Sequence, residues 1–257
     1  SAGTLAKTTD ITSYPITTSD TNNIGVGANA VDSITTGDNN TGVGVNALTA
    51  NTTGSYNSAI GTALGANTTG TNNNALGYGA LYANTTASNN NAFGGSALGA
   101  NTTGASNTAF GHIALTANTT ANHNAAFGYW ALKSNTTGAR NVGVGSNAAR
   151  TITTGTYNTA TGAYALSNAT SADDNTAFGN NALAETTTGF QNTAIGSNAL
   201  KENTTGERNV AVGETALDAN TTGIRNVAVG RAALSQTQTA SYNVAVGHST
   251  LGDTSTG

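Results

Sequence analysis

The sequence predicts an all-β fold, a β-solenoid (β-roll) of about 14 coils with a 17-residue repeat. Three observations carry that prediction. Fourteen glycines, from Gly27 to Gly247, fall 17 residues apart, with one step of 16 between Gly61 and Gly77. A period this strict across most of 257 residues marks stacked repeats rather than a globule around a cleft. Around each glycine the pattern N-x-A-[FIV]-G alternates with period two, which argues for strand. Between these segments NTTG recurs, a run dense in turn-forming residues.

Each column of the repeat makes its own demand. Asn stands four residues before the glycine in all 14 repeats, from Asn23 to Asn243. Two before it only Ala or Gly occurs, which marks a close approach of two backbones. One before it the residue is apolar in 13 of 14 repeats, Thr161 being the exception. Four after it comes a second apolar column, mostly Leu preceded by Ala, as in Ala97–Leu98. The NTTG glycine is expected at positive φ, which costs it nothing sterically.

These columns predict a coil of two short strands joined by two corners. Like residues then stack about 4.7–4.9 Å apart, and fourteen coils make a rod roughly 65–70 Å long. Both apolar columns are expected inside as continuous ladders, each Val, Leu or Phe contributing about 1.5–3 kcal/mol before entropy is subtracted. Phe93, Phe110 and Phe127 are assigned to that core, and the Asn column to a hydrogen-bonded amide ladder.

Composition excludes several functions. Charged residues are 8% of the chain and the net charge is −4. From Asn39 to Leu132, 94 consecutive residues, there is no Lys, Arg, Asp or Glu, so that half offers no phosphate-binding groove. No run of 18 apolar residues exists to insert into a membrane as a helix. There is no cysteine for disulfides or thiolate sites. His112, His123 and His248 share no ligand spacing, the acids are scattered, and no nucleophile–base–acid set recurs. The expectation is no enzyme, no cofactor and no metal.

The core motif, as in NTAIG (Asn192 to Gly196) and NVAVG (Asn209 to Gly213 and Asn226 to Gly230), resembles the head repeats of trimeric autotransporter adhesins. Those heads carry a similar S-V-A-I-G element on a shorter repeat. The NTA[IVF]G…AL…NTTG array also looks like arrays in phage tail-fibre and bacterial surface-fibre proteins. The resemblance spans Asn22 to Gly257. It implies a left-handed roll, three chains side by side, and a location outside the cell, at a cell or virion surface.

The chain divides into an N-terminal arm, 1–22, containing the only proline, Pro15, and a repeat domain, 23–257. The arm is expected either as a leader or as a strand donated to a neighbouring subunit. No signal peptide is visible at Ser1, as expected for a mature or excised form, or for export without one. The repeat runs in phase to Gly257, which predicts a piece of a fibre or end-to-end stacking of copies.

Three surface features are candidate sites. Tyr78, His112, Ile113, Tyr129 and Trp130, with Tyr82 nearby, gather in neighbouring coils and suit a subunit interface or stacking on surface glycans. Eight N-T-T sequons begin at Asn51, Asn67, Asn84, Asn101, Asn118, Asn135, Asn203 and Asn220; they are candidate N-glycosylation sites, although turn chemistry alone also explains them. The paired Thr ladders of the same corner could order water, as ice binding requires. Arg208 and Arg225 share a column one coil apart and should repel unless carboxylates intervene. The expected function is a self-assembling extracellular fibre subunit, with an adhesive fibre segment as the alternative and ice binding behind it.

Overall fold

A computed structural model describes residues 22–252 and the backbone of Ile16–Thr18. The rest of the N-terminal arm, with Pro15, and the five residues ending at Gly257 lie outside the described residues. The fold is an all-β solenoid. Fourteen three-residue strands, from β2 (Ile24–Val26) to β15 (Val244–Val246), form one parallel sheet in sequence order. Each pairs with the strand one repeat later in strict register: Ala109 lies opposite Ala126 and Phe110 opposite Phe127. The strand Ile16–Thr18 (β1) pairs antiparallel with β2, so an arm segment covers the sheet edge of its own chain.

The strand runs in the opposite phase to the one expected. Asn and the Ala/Gly residue point inward, whereas the column before the glycine faces out. Ala109 is fully buried while Phe110 is 49% exposed. Ile60, Leu76, Phe127, Val144, Phe178 and Ile195 are likewise exposed. Phe93, Phe110 and Phe127 do stack, with centroids 4.6 and 6.1 Å apart, but on the outer face. The interior is too shallow for a second large column. A Cβ on Gly143 would already lie 3.2 Å from Leu132 Cγ and from the Ala148 carbonyl oxygen. Only Ala or Gly fits on the strand once Leu fills the space from the opposite wall.

That opposite wall is not the second strand expected. In the coil after Gly94, Ser96 (φ 56°) and Leu98 (φ 51°) are left-handed, and Ala97 between them is not. Ala97 and Leu98 are adjacent and both fully buried, which a period-two strand cannot achieve. The left-handed conformation costs an L-residue roughly 1–2 kcal/mol. Inter-coil hydrogen bonds offset it: Ser96 N–H donates to the Tyr78 carbonyl at 2.9 Å, Leu98 N–H to Ala114 at 3.0 Å and Ala100 N–H to Thr116 at 3.1 Å. The core is thus an Ala/Gly ladder facing an Ala–Leu ladder, repeated along the rod.

The glycine that sets the period is required twice over. Gly27 has φ +130°, and a Cβ there would sit 2.6 Å from the Gly44 carbonyl oxygen in the next coil. The NTTG glycines, by contrast, are not at positive φ. Their column is small because it is crowded by the next coil's backbone, and Ala87, Ala121, Ala172 and Ala240 show that one methyl group can be fitted.

Two amide ladders run through the interior. In the column before the strand, Asn107 N–H donates to Asn90 Oδ1 at 2.9 Å, and Asn107 Nδ2 to the Ala121 carbonyl at 2.8 Å. In the NTTG corner, Asn101 Nδ2 donates to Asn84 Oδ1 and to the Gly104 carbonyl, both at 2.9 Å. Buried amides are stable here because their partners stand in the same or the neighbouring coil; among the described residues Asn135 Oδ1 and Asn220 Oδ1 lack one.

Candidate binding surfaces

Stacking places three distinct surfaces on the rod. The first is the outer face of the sheet, two residues wide. One column is the exposed apolar ladder. The other holds Thr41, Ser58, Asn74, Asn91, Thr108, Ala125, Val142, Thr159, Thr176, Thr193 and Val210 in successive strands. Neither column contains a charge, and the face runs roughly 60 Å at strand spacing. The sequence hides this face, because its apolar residues read as interior ones.

The second surface lies on the turn wall. The structure brings together three of the five predicted strip residues in one stack. The His112 and Tyr129 rings are 5.9 Å apart at 9°, and Tyr129 and Trp130 are 4.9 Å apart at 15°. Lys133 Nζ sits 3.9 Å from the Trp130 ring centroid, a cation–π contact. Trp130 Nε1 is buried with no acceptor. Ile113 holds the same left-handed position as Trp130, one coil earlier. Tyr78 stands apart, two coils from His112, with Gly95 between them in the column. It borders instead a depression of about 440 Å³ lined by Thr62, Tyr78, Gly79, Tyr82, Ser96 and Gly99, with Ala100 and Thr116.

The third surface is the NTTG corner, where the sequon reading is corrected. Asn51, Asn67, Asn84, Asn101, Asn118, Asn135, Asn203 and Asn220 are all fully buried. Their Nδ2 atoms, the atoms a glycan would occupy, are donors in the ladder, as in Asn67 to Asn51 Oδ1 at 2.8 Å. A glycan on any of them has no way out of the folded coil. The first Thr of each pair is also committed: Thr102 Oγ1 donates to the Thr119 carbonyl at 3.1 Å. Only the second Thr, such as Thr53 or Thr103, forms an exposed row.

Charge on the later coils arranges itself without intervening carboxylates. Arg208 turns toward the preceding coil, its Nε 3.0 Å from Gln191 Oε1 and its guanidinium over Phe190. Arg225 turns the other way, donating to Tyr242 Oη at 2.5 Å. Glu207 adds only a 3.7 Å contact to Arg208 within its own coil. No protein-family model, curated protein or solved structure matches this chain.

Proposed function

We propose that the chain is a structural subunit of an extracellular fibre, associating side by side with copies of itself through the outer face of its parallel sheet. The uncharged outer column from Ile60 to Val246, apolar in every coil but that of Thr161 and exposed in most, is the observation that carries this reading. An apolar row of this length is unusual on a chain that stays alone in water. A second copy offers the same face at the same axial spacing, so residues can match rung by rung. Pairing of β1 with β2 supports lateral over end-to-end association, because the N-terminal sheet edge is already taken.

Light scattering across a concentration series tests it. The unmodified chain should associate, and Phe110→Lys/Phe127→Lys should hold it at single-chain mass with an unchanged circular dichroism spectrum. A native chain at single-chain mass throughout, or a double variant that associates equally well, would refute the proposal.

One observation favours adhesion as a second reading: the His112–Tyr129–Trp130 stack with Lys133 over it, a compact aromatic platform on the turn wall. Tyr129→Ala/Trp130→Ala should then abolish attachment to a target surface while leaving the rods intact. Unchanged attachment would retire this reading.

A further inference from the structure

The repeat is most disturbed where the depression beside Tyr78 opens, and the disturbances share one consequence. Immediately after Gly61 the chain is one residue short, so Thr62 is followed directly by the Ala63–Leu64 pair. The residue lost is the one that stands two after the glycine in other coils: Asn46, Ser96, Ile113, Trp130. In the next coil that position is Gly79, so the column lacks a side chain twice in succession. The column five after the glycine is thinned too, with Tyr82 flanked by Gly65 and Gly99.

Each glycine has a definite effect. A Cβ on Gly65 would lie 2.8 Å from the Tyr82 ring, so the missing side chain is what lets that ring lie down. At Gly79 a Cβ would meet nothing nearer than Ser96 Oγ at 3.4 Å. Other residues adopt the same left-handed backbone at this position, among them Asn46 (φ 59°) and Ser96 (φ 56°). Glycine at 79 therefore answers no packing demand; it leaves a space. Tyr78 and Tyr82 border that space, 78% and 51% exposed. The hydroxyls of Thr62, Ser96 and Thr116 line it and make no hydrogen bond within the chain.

We infer that this depression is a binding site for a neutral sugar ring. Tyrosine faces pack against the C–H face of a pyranose, and unengaged hydroxyls at the margin can exchange hydrogen bonds with its own hydroxyls. About 440 Å³ accommodates one ring and part of a second. The 94-residue charge-free stretch surrounding the site holds no cation to pair with an acidic sugar, which selects an uncharged one. The site uses columns on the turn wall, away from the sheet face, and the inference holds whether or not chains associate through that face.

Saturation-transfer NMR with the methyl glycosides of glucose, galactose, mannose and N-acetylglucosamine tests it on the full chain. At least one should receive saturation, with a dissociation constant on the order of 1 mM for a single ring. Gly79→Asn restores a side chain found at this position in other coils, so the rod should keep its fold while affinity falls at least about tenfold. Tyr82→Ala should do the same, and Tyr164→Ala, at an exposed tyrosine five coils away, should leave binding unchanged. No transfer to any of the four glycosides overturns the inference, as does transfer that survives Gly79→Asn or disappears with Tyr164→Ala.

Discussion

Asn135 and Ile152 occupy the same corner column in consecutive coils, and the Oδ1 of Asn135 is buried with no donor. In the coils below, every such oxygen accepts from the next Asn: Asn118 Oδ1 takes Asn135 Nδ2 at 3.0 Å. Ile152, Ala169 and Thr186 then interrupt the column, and it resumes at Asn203 and Asn220. The orphaned oxygen is where a ladder stops.

The interruption gives a first prediction. Asn101→Ile breaks the ladder at mid-run with a side chain this column already accommodates at Ile152. It strips Asn84 Oδ1 of its donor, and each polar group left unpaired should cost about 1–3 kcal/mol, read from denaturant unfolding. Ile152→Asn should cost or gain far less, because it only moves the orphan one coil along. Equal effects from the two variants would contradict the ladder account.

Strand phase gives a second. Ala109→Leu inserts bulk between two packed walls and should destabilise by about 1–3 kcal/mol or more. Phe110→Thr, the next residue, imitates Thr161 on the outer face and should leave thermal unfolding nearly unchanged at dilutions where chains are separate. The opposite ranking would restore the phase that the sequence suggests.

The two glycine columns should respond differently to one methyl group. Gly196→Ala meets both φ +134° and the next coil's backbone at 2.5 Å, and should lower stability by more than about 2 kcal/mol. Gly206→Ala meets the next coil's backbone at 2.5 Å as well, but not at positive φ, and Ala87 and Ala172 show that this column can accept a methyl group, so it should cost less than Gly196→Ala. Matching melting temperatures for the two variants would show that the period-setting glycine is not special.

Asp218 predicts a pH dependence. Burial raises its carboxyl above the usual range, opposed by hydrogen bonds from its own backbone and that of Ala219, and its Oδ1 has no partner. A carboxyl with its pKa raised on folding binds more protons when folded than when unfolded. Stability is therefore full below the ordinary aspartate pKa and declines as pH rises through the raised one. Asp218→Asn should raise the melting temperature at neutral pH and leave it little changed at acid pH. A drop at neutral pH would show the charge to be stabilising.

Period, fold class and the small-residue column were legible in the sequence because stacking forces each position to repeat. Strand phase was not, since N-x-A-F-G alternates in either reading and Phe is the residue ordinarily sent inside. The restriction to Ala or Gly at positions such as Ala109 held the answer: only the crowded interior forbids larger residues. Adjacent apolar residues, as in Ala97–Leu98, were likewise a sign against a second strand. The aromatic cluster at His112, Tyr129 and Trp130 was visible from column spacing alone. Tyr82 and its glycines needed the structure, because a missing residue after Gly61 gains meaning only when its neighbours are known. The sequons looked accessible because turn motifs usually are, and only the amide ladder explains their burial.

Equivalent residues lie one above another, one coil apart. Pairs of spin labels on the exposed Thr row measure that directly by electron–electron double resonance. Labels at Thr53→Cys and Thr120→Cys span four coils, and Thr53→Cys with Thr188→Cys spans eight. Stacking in register predicts distances of about 19 and 38 Å, growing linearly at about 4.8 Å per coil. Distances that fail to double, or broad distributions without a resolved maximum, would contradict it.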